Sequence, residues 1–172
     1  MNPSVTRRHA VTGIAVSLAT LAASRHSQSQ QPAMEETPST GENFKKTSIH
    51  QEIDFNAPPQ RIFDILLDSK QFAAFTGMPA DIDPKPGGIF KIFNGMIEGR
   101  NIELIPAQRV VQAWRPSSWS AGRYCLVHFE LKPRAQQTTV ILDHTGFAEG
   151  DFDHFDSGWH LRYWNPLKKF LA

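Results

Sequence analysis

The 172-residue chain has a single cysteine, Cys125, which excludes an intramolecular disulfide and leaves packing to hold the fold. It also lacks a surplus of charge of one sign: Lys+Arg number 18, Asp+Glu 17, and no basic run stands in the body of the chain. A nucleic-acid surface needs a clustered basic face, so no nucleic-acid partner is expected. Tyrosine is scarce, 2 against 12 Phe and 4 Trp, so most of the aromatic content is of the kind that fills an interior. Long apolar runs are missing too. Residues 10–23 are broken by Thr12, Gly13, Ser17 and Thr20 and are short for a bilayer. What remains is 40% hydrophobic, enough for the core of one domain.

The first 24 residues have the layout of an address. Arg7-Arg8 forms a charged start, residues 10–23 a weakly apolar middle, and Ala22-Ala23-Ser24 a small-residue cleavage site. The arginine pair is similar to a twin-arginine signal, although Ala10-Val11 stands where a bulky Phe-Leu pair is usual. A periplasmic or secreted location follows. The alternative is a cytoplasmic protein whose translation starts at Met34. Removing residues 1–24 takes two arginines and no acid, leaving 16 bases against 17 acids and a near-neutral protein without a stable membrane span. Residues 25–46 are rich in Ser, Gln, Pro and Glu and poor in large apolar side chains. They are expected to form a disordered tether.

One domain is expected over residues 47–172. In SIHQEIDFN, Ile49, Gln51, Ile53 and Phe55 share one side, the period-2 pattern of a half-buried strand. Pro58-Pro59 leads into a helix carrying Ile62, Phe63, Leu66 and Leu67, and Asp68-Ser69 starts a second short helix ending near Gly77. DIDPKPGG reads as a loop. IFKIF, MIEGRNIEL and RVVQAWR are three consecutive strands, joined by turns at Asn94-Gly95 and Pro106-Ala107. If the second turn is tight, Glu98 faces Arg115 as an ion pair, and Gly99 faces Trp114, whose indole would cover the glycine. RYCLVHFELK and TTVILDHTG add two strands, joined by a polar loop over 133–137.

The chain closes with a long amphipathic helix. Phe152, Phe155, Trp159, Tyr163, Leu167 and Phe170 form its stripe; His160, Trp164 and Leu171 flank it; Arg162, Asn165, Lys168 and Lys169 lie opposite. Pro166 should bend it. The fold class is α+β: a curved antiparallel sheet of about six strands around a long C-terminal helix, with two short helices after the first strand.

Three stretches carry a family resemblance: GGIFKIFNGMIEGRNIELIPAQRVVQAWR, the W-x-x-G-x-Y of Trp119, Gly122 and Tyr124, and GWHLRYWNPLKKFL. They resemble the C-terminal domain of the co-chaperone that activates the ATPase of the ninety-kilodalton heat-shock protein, together with its bacterial homologues. That family belongs to the SRPBCC, or START-like, helix-grip superfamily. The resemblance covers about residues 47–172 and implies the helix-grip fold. No cofactor is implied.

A sheet gripping a helix leaves a cavity wherever side chains do not fill the space between them. The leading expectation is therefore an exported domain binding a small hydrophobic or amphipathic molecule. The pocket is expected among Phe90, Cys125, Val127, Phe129, Val140, Leu142, His144, Trp159, Tyr163 and Phe170. A co-chaperone-like regulator of the heat-shock ATPase is the first alternative, with a chaperone partner only if the protein is cytosolic. A cyclase- or hydrolase-type enzyme using His144, Asp156 and His160 is the second. The cluster Asp151, Asp153, His154, Asp156 and His160 suggests a metal. Yet only Asp156 and His160, at i and i+4, share a helix face, so no metal site is expected and Asp151 or a neighbour should instead cap the helix. Asn101 and Glu103 share a strand face, at a pocket mouth or on the wet side. Cys125 faces an apolar interior, which makes its thiol inert.

Overall fold

The computed structural model describes residues 46–172. The expected signal peptide, 1–24, and all but the last residue of the expected tether, 25–46, lie outside the described residues. The described elements begin with strand β1 (Ser48–Phe55) and helices α1 (Pro59–Leu67) and α2 (Ser69–Thr76). Pro sits in the first turn of α1, where its missing N–H costs nothing. The Asp68 carboxylate accepts from the Gln71 N–H at 2.8 Å and caps α2, which ends at Gly77 in the left-handed conformation.

Six strands follow: β2 (Asp81–Ile82), β3 (Ile89–Ile92), β4 (Ile97–Ile105), β5 (Arg109–Pro116), β6 (Cys125–Arg134) and β7 (Gln137–Thr145). Every pairing is antiparallel, in the order β1-β7-β6-β5-β4-β3-β2. The sheet thus has seven strands rather than six. The additional one, β2, comes from the segment read as a loop, where Asp81 and Ile82 pair with Lys91 and Phe90. Two residues flanked by prolines carry too little period-2 pattern to be read as a strand. The polar loop over 133–137 is also shorter than expected: Arg134 pairs with Gln137, and Ala135 takes a positive φ of 53° to close the turn.

The second turn is tight, and Glu98 faces Arg115 and Gly99 faces Trp114 as the pattern required. Arg115 and Glu98 form an ion pair. The cover over Gly99 is not the indole, however. It is the Phe90 ring, from the strand on the other side: a Cβ on Gly99 would lie 2.4 Å from that ring and 2.1 Å from the Ala113 carbonyl oxygen. A bulge at Ile102 separates Asn101 from Glu103. Asn101 turns fully inward, its amide donating to the Asp83 carbonyl and accepting from Gln112, while Glu103 pairs with Arg109 near the surface.

The C-terminal helix is composite. A 3-10 turn (Glu149–Asp151) leads into α3 (Phe152–Gly158), a π-helical segment (Trp159–Trp164) and α4 (Asn165–Leu171). The Asn165 N–H donates to the His160 carbonyl, five residues back. The irregularity precedes Pro166, as expected of a ring that would otherwise press on the carbonyl of Arg162. The wider turn also changes which residues face the sheet. Trp164, read as a flank, is only 1% exposed and packs on Phe129 and Phe55. Trp159, Tyr163 and Leu167 are buried with it. Tyr163 joins the sheet to α2, stacking on Phe129 and meeting Phe72 and Phe75 edge-on. Gln51 ties the helix to β1: its amide donates to Asp156 at 2.8 Å and accepts from the Trp164 indole at 2.6 Å.

Candidate functional site

Between the sheet and the composite helix lies an open groove of about 500 Å³. Three segments build it. The sheet contributes Ile97, Trp114, Pro116, Cys125 and His144; the turns at its end contribute Phe93, Met96 and residues 117–119; the helix contributes Asp151, His154, Phe155, Gly158, Trp159, Arg162 and Tyr163. Trp114 and Trp159 pack against each other in its wall at 5.2 Å between ring centroids, and Trp119 meets Phe155 edge-on. The space exists in part because Gly158 projects nothing: a Cβ there would touch no atom within 4 Å.

Of the ten residues expected to line a pocket, the structure brings Cys125, His144, Trp159 and Tyr163 to the groove. Val127, Phe129, Val140 and Leu142 are buried core, Phe90 lies over Gly99, and Phe170 packs part-buried against Phe75. The groove sits toward the end of the sheet where β5 and β6 are joined, so the central strand positions meet the helix directly.

His144 is 1% exposed, at the inner side of the groove, with its ring against Phe147, Phe155 and Trp159. The Trp159 indole N–H donates to its Nδ1 at 3.2 Å, which puts the ring proton of a neutral imidazole on Nε2. Nε2 is buried and has no partner. Burial in this apolar setting lowers the His144 pKa from 6.5 to about 4, so the ring is neutral at ordinary pH. The Cys125 thiol donates to the Trp114 carbonyl at 3.4 Å, and burial pushes its pKa up to about 12. Burial likewise raises that of Tyr163, which stays a phenol.

The three residues considered for catalysis are not brought together. His144 borders the groove; Asp156 is held by Gln51 and faces β1; His160 is exposed. Asp151 occupies the position before α3 but makes no side-chain cap bond, contrary to expectation, and borders the groove instead. Sequence reasoning missed Met96 and Trp119, in turns, and Pro116, at the end of β5, whose place at the groove is set by tertiary structure. It also placed Arg162 on the far face. Arg162 is exposed yet borders the groove.

A long C-terminal helix, with two short helices near the first strand, gripped by an antiparallel sheet defines a helix-grip domain. Within that class, the model of the family described as "Activator of Hsp90 ATPase homolog 1-like protein" matches residues 56–172, and the chain belongs to that family. Among curated relatives, the Activator of 90 kDa heat shock protein ATPase homolog of Dictyostelium discoideum is 27% identical over 133 residues, 77% of this chain and 34% of that protein. The human Activator of 90 kDa heat shock protein ATPase homolog 1 is 23% identical over 115 residues, 67% of this chain and 34% of that protein. The chain therefore spans about a third of the length of these relatives. Its fold matches a solved HSP90 activator from Plasmodium falciparum (TM-score 0.67, 22% identity), covering 73% of this chain and 96% of that one. It also matches the Aha1 dimer from Colwellia psychrerythraea (TM-score 0.63, 20% identity), covering 72% and 95%.

These relatives correct the expected periplasmic or secreted location. Proteins described as activators of a heat-shock ATPase work where ATP is present, which argues against an exported compartment. The family match begins at residue 56 and gives no support to the twin-arginine reading of residues 1–24. Among the described residues, no helix is long and apolar enough to cross a membrane.

Proposed function

We propose that this chain is a co-chaperone-like regulator of the ATPase of a 90 kDa heat-shock protein. The observation that carries the reading is extent: the family match runs from residue 56 to the last residue, over nearly the whole described domain. A solved structure described as an HSP90 activator is itself covered over 96% of its chain. Isothermal titration of the full chain into purified 90 kDa heat-shock protein, with and without ATP, tests it. A saturable heat supports the reading, and no binding in either condition overturns it.

A second reading is supported by the groove. Its size suits a small organic ligand, and its walls combine aromatic rings with polar groups, among them Ser117, Asp151, His154 and Arg162. On this reading the domain also holds a small hydrophobic or amphipathic molecule between sheet and helix. Native mass spectrometry of protein purified from its source would show a bound mass between about 150 and 500 Da, the range such a volume admits. A sample carrying only the bare chain, and no uptake of added aromatic compounds, would count against it.

A further inference from the structure

One residue of the groove lining, His144, carries a buried polar atom that the fold leaves unserved. The Trp159 indole N–H occupies Nδ1 of His144, so the imidazole carries its proton on Nε2, and that N–H is buried without an acceptor. Buried donors are nearly always paired, because leaving one unmade forfeits its hydration with nothing in return. Here the ring lies at the inner side of an open groove, against Phe155 and Trp159, which are themselves groove residues. The helix beside it is widened into a π turn starting at Trp159, a feature frequent at functional sites. Gly158 precedes that turn and leaves open space where any other residue would project.

We propose that His144 is the polar anchor of a ligand site. Its Nε2–H donates to an acceptor oxygen on an apolar molecule seated in the groove against the packed pair of Trp114 and Trp159. The ligand class follows from the partners. Its body is apolar, to match the wall that Trp114, Phe155 and Trp159 form. It carries a carbonyl or similar acceptor at the end that reaches inward. A cation or a donor-only group is excluded at that end, because the imidazole presents N–H and no free lone pair. This inference rests on the ligand-binding reading of the groove and names the chemistry that the groove selects.

A matched pair of probes separates the two claims. 2-Acetylnaphthalene carries a carbonyl; 2-isopropenylnaphthalene has the same shape with a methylene in place of the oxygen. Binding of each to the full chain is read by quenching of tryptophan fluorescence. The ketone should bind about tenfold more tightly than the alkene, the size expected of one buried hydrogen bond. His144→Phe should remove that preference, and Gly158→Leu, which fills the groove, should weaken both probes. Nitrogen-15 NMR of the histidines in the unsubstituted chain provides a readout independent of whether the variants fold: the His144 Nε2–H resonance should move on saturation with the ketone and not with the alkene. Equal affinities, a preference that survives in His144→Phe, or an unmoved Nε2–H resonance would overturn the anchor while leaving the groove a binding site. If neither probe binds, the ligand reading of the groove falls and the anchor with it.

Discussion

Acidification should destabilise this fold through His144 in a calculable way. The ring is buried among Phe147, Phe155 and Trp159, and burial lowers its pKa from 6.5 to about 4. A folded pKa below the unfolded one means that the unfolded chain takes up the proton first. The stability tied to the neutral ring is therefore complete above pH 6.5, declines as the pH falls, and is gone once it drops below about 4. At about 1.4 kcal/mol per pH unit, the interval amounts to about 3 kcal/mol. With a urea dependence of about 1–3 kcal/mol per molar, the unfolding midpoint should fall by about 1–3 M across this range on this account alone. Other groups titrate nearby, so the assay is a comparison. His144→Gln cannot titrate and keeps an acceptor for the Trp159 indole. His50 acts in the opposite direction: its hydrogen bond to Asp143 raises its pKa, so the stability it adds is present below 6.5 and lost as pH rises through the folded value. Wild type and variant share that contribution, so it cancels in the difference. Urea unfolding at several pH values between 7 and 4 should show wild type losing about 3 kcal/mol more than the variant. Parallel losses would refute the buried, neutral state of His144.

Three further outcomes follow from particular contacts. Gly99→Ala places a methyl within 2.4 Å of the Phe90 ring and 2.1 Å of a backbone oxygen, and should cost about 3 kcal/mol in urea unfolding; a loss under about 0.5 would contradict the packing. Gln51→Leu leaves the Trp164 indole N–H without its acceptor and should cost about 1–3 kcal/mol, with a change in tryptophan emission. Native Cys125 should resist a disulfide-exchange reagent at pH 8 and react only on unfolding, since its thiol is buried and its pKa is pushed up to about 12; rapid labelling of the folded chain would contradict that.

The order of elements was legible because each rests on local chemistry. Pro58-Pro59 before Ile62 and Phe63, Asp68 before α2, and alternation through Cys125, Val127, Phe129 and Leu131 all act over a few residues. The Glu98–Arg115 pairing could be counted from a two-residue turn because two departures cancel: the turn pairs Ile105 with Arg109 across three residues, and the Ile102 bulge shifts the register back by one. The groove was less legible because it depends on long-range placement. Four of its residues could be named from strand and helix faces. Met96 and Trp119 come from turns whose direction no periodicity records. The π segment is the clearest case: a 3.6-residue repeat placed Trp164 at the margin and Arg162 outside. The wider turn buries the first, and the second, though exposed, borders the groove. The Phe90 ring over Gly99 was missed for a related reason, since a glycine can be covered from either neighbouring strand and the sequence does not say which.

The steady-state ATPase rate of a 90 kDa heat-shock protein, measured as the full chain is titrated in, tests the proposed regulatory role most directly. The account predicts a rate that changes and then saturates as the chain is added. A rate unchanged at every concentration, under conditions where another activator of the same family raises it, would contradict it.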